Sequence, residues 1–206
     1  MFDIHNHLLP GVDDGVKNFD ESIKFLETFK KNGITTVFFT PHLNHPSVKT
    51  NVAKIKENYE KIKIHCEEFG IKSFLGSEIY LTPDVKEFIP IKDYFLLVEL
   101  PTDIYPVYLL DKLFDLQLEG YEIILAHVER YKWLEGNGLL VDRLKHMNVY
   151  FQVNLEALNG SNYFLKRDLV DFIATDFHGE KRSSIDFSLF RKYNDIIEKG
   201  KSILKL

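Results

Sequence analysis

The sequence is short of sulfur: it has one cysteine, Cys66, and two methionines in 206 residues. A lone cysteine excludes an internal disulfide and argues against a structural metal site built of thiolates, and it fits a reducing compartment. A long apolar run is also missing, since no stretch reaches the roughly 20 residues a membrane-spanning helix requires. The N-terminus carries neither a basic region nor a small-residue cleavage site, so the expectation is a cytoplasmic protein without membrane insertion. Basic blocks are absent too. With 26 Lys and Arg against 31 Asp and Glu, net charge −5, no stripe of cations offers itself to a nucleic-acid backbone. Linkers, low-complexity tracts and 20–50-residue repeats are lacking. Asn159-Gly160-Ser161 matches the glycosylation pattern, but without a secretory signal the match is empty.

What remains has ordinary globular composition, 45% hydrophobic and 28% charged. That is enough for one sizeable core, and the expectation is a single domain over residues 1–206. Apolar, β-branched runs alternate with helical stripes. The first strand starts at the N-terminus and carries His5 and His7. Ile34 to Thr40, Ser73 to Leu75, Tyr94 to Leu100, Glu122 to Ala126, Val149 to Val153 and Asp171 to Thr175 read as six more strands. Between them, Asp20 is expected to cap a helix carrying Ile23, Leu26 and Phe29 that Gly33 ends. The clearest stripe is Val52, Ile55, Tyr59, Ile62, Cys66 and Phe69, which makes Cys66 a small core residue. Pro106 is expected to open a helix with Leu109, Leu110, Leu113, Phe114 and Leu118 inside. A further helix surrounds Leu139–His146, and the last carries Phe187, Phe190 and Ile197. Seven strands separated mostly by helices predict a parallel α/β fold with right-handed crossovers. Periodicity does not say whether the sheet closes.

The polar residues that interrupt these strands carry the chemistry. Alternate residues of a strand share a face, so His5-x-His7 aims two imidazoles at one point. Pro10-Gly11 and Asp13-Asp14-Gly15 then supply a turn with carboxylates. The second strand runs into His42 and the third into Glu78, while Glu99 sits in an otherwise apolar run. The fifth ends at His127, the sixth at Asn154 and the seventh at Asp176-Phe177-His178. In a parallel sheet these ends lie on one face, where α/β active sites are built. His5, His7, His42, His127 and His178 offer nitrogens; Asp14, Glu78, Glu99 and Asp176 offer oxygens. Mixed N/O ligation suits Zn²⁺, Mn²⁺ or Fe²⁺, and nine candidates exceed what one ion needs. Two or three divalent ions are therefore expected. Three would leave four carboxylates with a net charge of about +2, attractive to a phosphate dianion. His65 and His146 fall on helices and are set aside. His45 is close in sequence to His42 and could support it from behind, but it reads most simply as a bystander.

At this point the motifs resemble a known family. Phe2-Asp3-Ile4-His5-Asn6-His7-Leu8-Leu9-Pro10-Gly11-Val12-Asp13-Asp14-Gly15 is similar to the opening of the PHP (polymerase and histidinol phosphatase) superfamily. More narrowly, it resembles the capsular-polysaccharide-type protein tyrosine phosphatases of bacteria. Thr40-Pro41-His42, Gly76-Ser77-Glu78, His127-Val128-Glu129-Arg130-Tyr131 and Ala174-Thr175-Asp176-Phe177-His178 follow in the family's order. The resemblance implies a distorted (β/α)7 TIM-like barrel (the PHP fold) with its metal site at the C-terminal strand ends. It implies one ion on His5, His7, Glu78 and Asp176, a second on Glu78, Glu99 and His127, and a third on Asp14, His42 and His178. Arg130 and Arg182 correspond to the arginines that hold phosphate. Mn²⁺ is the implied metal, with Fe, Zn or Mg as alternatives. The implied substrate is a phosphotyrosine protein, the tail of a bacterial tyrosine kinase governing exopolysaccharide export. Two departures stand out: Val128 occupies a position where proline is usual, and the chain runs only 28 residues past His178.

The expected reaction is hydrolysis of a phosphomonoester by metal-activated water, with no nucleophilic side chain. A thiol mechanism fails on inspection, because Cys66-x5 leads to Lys72 rather than arginine. A small-molecule phosphatase of the histidinol-phosphatase type, a nuclease (disfavoured by the acidic charge) and a non-catalytic metal-binding regulator are the alternatives.

Overall fold

The computed structural model describes residues 1–179 and 185–206. Every strand pairing is parallel. β1 (Phe2–Asp3) pairs with β2 (Thr36–Phe39), which pairs in turn with β4 (Lys72–Leu75). A second run places β3 (His42–Leu43), β5 (Glu78–Tyr80), β6 (Phe95–Glu99), β7 (Glu122–Leu125), β8 (Tyr150–Asn154) and β9 (Phe172–Ala174) side by side. The seven strands read from sequence are thus nine. The additional two arise because the second and third strand positions each break and resume. Pro41, which has no N–H, interrupts one between β2 and β3, and Gly76-Ser77 the other between β4 and β5. Gly76 N–H donates to Phe39 O at 2.9 Å and Glu78 N–H to Pro41 O at 3.0 Å, which carries the ladder across the breaks. Each break shifts the strand direction just where His42 and Glu78 must turn inward.

The two edges then meet. Asp176 N–H donates to His5 O at 2.8 Å and His7 N–H to Phe177 O at 2.9 Å, so the chain after β9 docks on the chain after β1. Buried Asp3 fastens the seam from below, accepting Thr175 N–H at 2.9 Å and Thr175 Oγ1–H at 2.7 Å. The result is a seven-position α/β barrel, as the PHP resemblance implies. Both faces of the strands are packed in apolar core: Val37, Phe38, Phe39, Leu96, Leu97, Val98, Ile124, Phe151 and Ile173 are all fully buried.

Among the described residues, seven helices cover the strands: α1 (Phe19–Lys31), α2 (Val52–Glu68), α3 (Leu109–Leu118), α4 (Gly138–His146), α5 (Tyr163–Lys166), α6 (Ser188–Lys192) and α7 (Asn194–Leu204). The cap of α1 is Asn18, not Asp20. Asn18 Oδ1 accepts Glu21 N–H, and Asp20 falls in the first turn, where its charge favours the helix dipole. On α2 the expected stripe faces inward, with Ile55, Ile62 and Cys66 fully buried. On α3 it does not. Leu109, Leu113 and Leu116 are buried, but Phe114 and Leu118 are 54% and 72% exposed. The helix has one narrow apolar stripe, and Phe114 lies about 100° around from Leu113. The last helical stretch is also two helices, α6 and α7, parted at Tyr193. No helix among the described residues is long and apolar enough to cross a membrane.

Candidate metal centre and active site

The strand-end residues converge. His5, His7, Asp14, His42, Glu78, Glu99, His127, Asp176 and His178 fall into overlapping groups whose donor atoms lie within 4.8 Å of one another. The groups are His7 with Asp14, His42 and His178; His5 with His127 and Asp176; His5 with His7 and Glu78; and His42 with Glu78 and Glu99. His5 and His7 form the floor, fully buried. Above them a cavity of about 360 Å³ is lined by Asp14, His42, Glu78, Glu99, His127, Asp176 and His178, with Arg130, His45 and Glu156 at its rim. Two of the ligand candidates, His127 and Asp176, have left-handed backbones (φ 32° and 49°). Such strain costs a non-glycine residue on the order of 1–3 kcal/mol and turns each side chain from its strand into the mouth. Gly15 closes the turn after β1. A Cβ there would stand 2.1 Å from His7 O, so only glycine allows the Asp13-Asp14 loop to lie on His7.

A ring of hydrogen bonds behind the cluster fixes which nitrogen each imidazole presents. Gln152 Oε1 accepts His127 backbone N–H at 2.9 Å, so it is an oxygen, and His5 Nδ1, 3.0 Å from it, must donate. His7 Nδ1 donates to Asp13 Oδ2 at 2.7 Å, and the same oxygen accepts His42 N–H at 3.1 Å. His178 Nδ1 donates to Asp176 O at 2.8 Å. In each case Nε2 is left with its lone pair directed inward, the arrangement a metal-binding histidine needs. Asn154, the polar end of β8, donates to Asp176 Oδ2 at 2.9 Å and accepts from Gln152 Nε2 at 2.8 Å. Arg130 reaches the same Asp176 oxygen at 2.6 Å while its side chain stays 41% exposed to the mouth. Arg182, the second arginine of the sequence reading, lies outside the described residues.

The donor set fits divalent cations. His5 Nε2 and His7 Nε2 stand 3.3 Å apart, and both lie 3.3–3.4 Å from oxygens of Glu78 and Asp176. Ligands tetrahedrally placed at about 2.0–2.1 Å from one ion are separated by about 3.3–3.4 Å. His42 Nδ1 and Glu78 Oε2 approach to 2.9 Å, yet both are buried without a hydrogen bond of acceptable geometry. Glu99 Oε2 is buried without a hydrogen bond as well. Groups that crowd together without pointing at each other are aimed at a common third point.

Electrostatics drive neighbouring groups apart. Burial opposes charge on His5, but the Glu78 and Asp176 carboxylates outweigh it and raise its pKa to about 9. His7 is raised too, chiefly by Asp13 against the same burial. Glu78 and Asp176 are held well below the carboxylate range by these imidazoles, although burial acts the other way. Glu99 is pushed up to about 8 by burial and by the Glu78 charge. His178 falls to about 4 through burial and its stacked neighbour His7. The carboxylates thus favour positive charge at the His5 and His7 positions, the charge a divalent cation would supply there.

Most of the set was legible as polar residues ending apolar runs. Gln152 and Asp13 were not assigned roles: Gln152 lies inside β8 and Asp13 reads as turn chemistry. A polar side chain in the middle of an otherwise apolar buried strand is the signal that could have identified Gln152.

Known proteins resemble this chain in sequence and fold. The chain is 30% identical over 213 residues to CapC of Staphylococcus aureus, covering 95% of this chain and 83% of that one. It is 29% identical over 199 residues to the tyrosine-protein phosphatase YwqE of Bacillus subtilis, covering 88% and 78%. Among solved structures, a metal-dependent tyrosine phosphatase from work on YwqE of Bacillus subtilis and CpsB of Streptococcus pneumoniae superposes with a TM-score of 0.83. It is 26% identical, covering 100% of this chain and 90% of that one. The histidinol phosphate phosphatase of Lactococcus lactis, solved with zinc, L-histidinol and phosphate, shares the fold at a TM-score of 0.63 and 16% identity, covering 97% and 93%. The family model described as capsular polysaccharide synthesis, CpsB/CapC, matches residues 1–193, and the chain belongs to that family.

Proposed function

We propose that this protein is a metal-dependent tyrosine-protein phosphatase of capsular polysaccharide synthesis, hydrolysing the phosphomonoester of phosphotyrosine. The observation that carries the reading is the convergence of five imidazoles and four carboxylates on one polar mouth, with a half-exposed arginine beside them. The family and the relatives' activities support it. In this reading residues 1–206 form one catalytic domain. His5, His7, Glu78 and Asp176 would hold one ion, Glu78 with Glu99 and His127 a second, and Asp14, His42 and His178 a third. Mn²⁺ is the proposed metal, and the tyrosine-rich tail of a bacterial kinase is the proposed substrate.

When bound, such ions supply Lewis acidity and bring the pKa of water from about 15.7 to about 7. The chain's own residues do the rest. Asp13 and Gln152 fix the His7 and His5 rings, so that the inward lone pairs do not depend on side-chain motion. Arg130 spends one N–H on Asp176 and keeps further donors of its planar fork for phosphoryl oxygens, where charge collects in the transition state. Among the described residues the mouth is lined by no cysteine, serine or threonine. Cys66 is buried in α2 with its thiol pushed up to about 12, so among the described residues no thiol or aliphatic hydroxyl is placed to act as the nucleophile.

Released phosphate from a phosphotyrosine peptide and from histidinol phosphate, each measured with added Mn²⁺ and after chelation, tests the proposal. Turnover of the peptide, lost on chelation and restored by Mn²⁺, is expected. Turnover of histidinol phosphate alone would overturn it.

A further inference from the structure

His45, which the sequence gives no reason to single out, is held in the mouth with the opposite polarity to its neighbours. Its Nδ1 lies 3.2 Å from the backbone nitrogen of Ser47. A backbone N–H can only donate, so Nδ1 is the acceptor and, in the neutral ring, Nε2 carries the proton. That Nε2–H is the atom turned to the cavity, 3.8 Å from Glu99 Oε2, which is beyond hydrogen-bond reach. His5, His7 and His178 do the reverse: Nδ1 donates backwards and Nε2 presents a lone pair. The ring has little freedom to change its aim. It stacks at a tilt on His42, with centroids 4.7 Å apart, and meets Tyr80 edge-on at 5.4 Å. Its side chain is 20% exposed and lines the same cavity as Arg130. Arg130 stands on the Asp176 side and His45 on the Glu99 side. The mouth therefore has an oriented N–H donor on each flank of the carboxylates.

We propose that His45 contacts the substrate, donating Nε2–H to a non-bridging oxygen of the phosphoryl group from the flank opposite Arg130, and that it is not a metal ligand. The assignment rests on the phosphatase reading above. A protonated Nε2 has no lone pair for a cation, whereas an anion entering the cavity finds a donor already aimed and already desolvated on one side.

The test uses metal-loaded protein and two variants, His45→Ala and His45→Gln, the second keeping a side-chain N–H donor. Binding of inorganic phosphate by calorimetry, KM for a phosphotyrosine peptide and metal content by plasma mass spectrometry are read together. Loss of a hydrogen bond to a charged group predicts that His45→Ala weakens phosphate binding and raises KM about tenfold to a hundredfold. Metal content should stay at the wild-type level, and His45→Gln should recover part of the loss. Phosphate affinity unchanged in His45→Ala overturns the proposal, and so does a fall in metal content, which would make His45 a ligand. If wild-type protein binds phosphate and loses it on substitution, yet turns over no phosphotyrosine peptide, the contact stands and the substrate reading falls.

Discussion

β6 and β7 contain both halves of the molecule within a few residues. Phe95, Leu96, Leu97 and Val98, and beside them Ile123, Ile124 and Leu125, are fully buried in apolar packing. A step further along, the same strands deliver Glu99 and His127 to the mouth. Packing in the interior has no direction and tolerates exchange of one apolar shape for another. The mouth depends on direction, because each imidazole is useful only if the right nitrogen faces inward. Damage to the two halves should therefore separate: interior changes should cost stability, and mouth changes should cost metal and activity.

The largest effect is expected at Asp176, which faces His5, His7, Arg130 and Asn154. Asp176→Ala should lower phosphatase activity on the order of a thousandfold and reduce bound metal, as measured by kinetics and metal analysis of one preparation. Wild-type activity in a metal-free variant would contradict the separation. Next comes the interior: Leu97→Ala should cost about 2–5 kcal/mol in denaturant unfolding while metal bound per folded molecule holds steady. If metal is lost in proportion to stability, interior and mouth are one unit and the comparison breaks.

Gln152 sharpens the contrast, because it is a buried strand residue that serves the mouth. Gln152→Met removes the acceptor of His5 Nδ1–H and His127 N–H with little change of volume. Metal affinity should fall about 10- to 100-fold by calorimetry. The smallest effect concerns Cys66. Burial raises its pKa from the ordinary thiol value of about 9 to about 12, so its contribution to stability is full below about pH 9 and is lost as pH rises through about 12. At pH 8 the native thiol should not react with a disulfide reagent, and one equivalent should react in denaturant. Rapid labelling of native protein would place Cys66 outside the apolar half.

The mouth was easier to read in the sequence than the frame around it. His42, Glu78, His127 and Asp176 each follow an apolar run, and a polar residue in that place has few reasons to be there except chemistry. The breaks at Pro41 and Gly76 were hidden because each continuous run is a plausible single strand. Phe114 and Leu118 were expected inside because composition records apolarity but not the angle at which α3 meets the sheet. Asn18 displaced Asp20 as the cap of α1 within the usual uncertainty of a helix start. His45 could not be assigned at all, since its significance lies in which nitrogen Ser47 engages, and no one-dimensional pattern contains that.

The seam between the first and last strands has a consequence for how the protein comes into being. Asp3 and Thr175 are 172 residues apart in the chain, and His5 receives Asp176 across the same junction. Contacts of such long separation form late and slowly, after most of the loop entropy has been surrendered. Until β9 has been made and docked, His5 and His7 lack the Asp176 partner that completes their site. Capture of cations is in this way a certificate of completed folding, issued only when the last strand arrives.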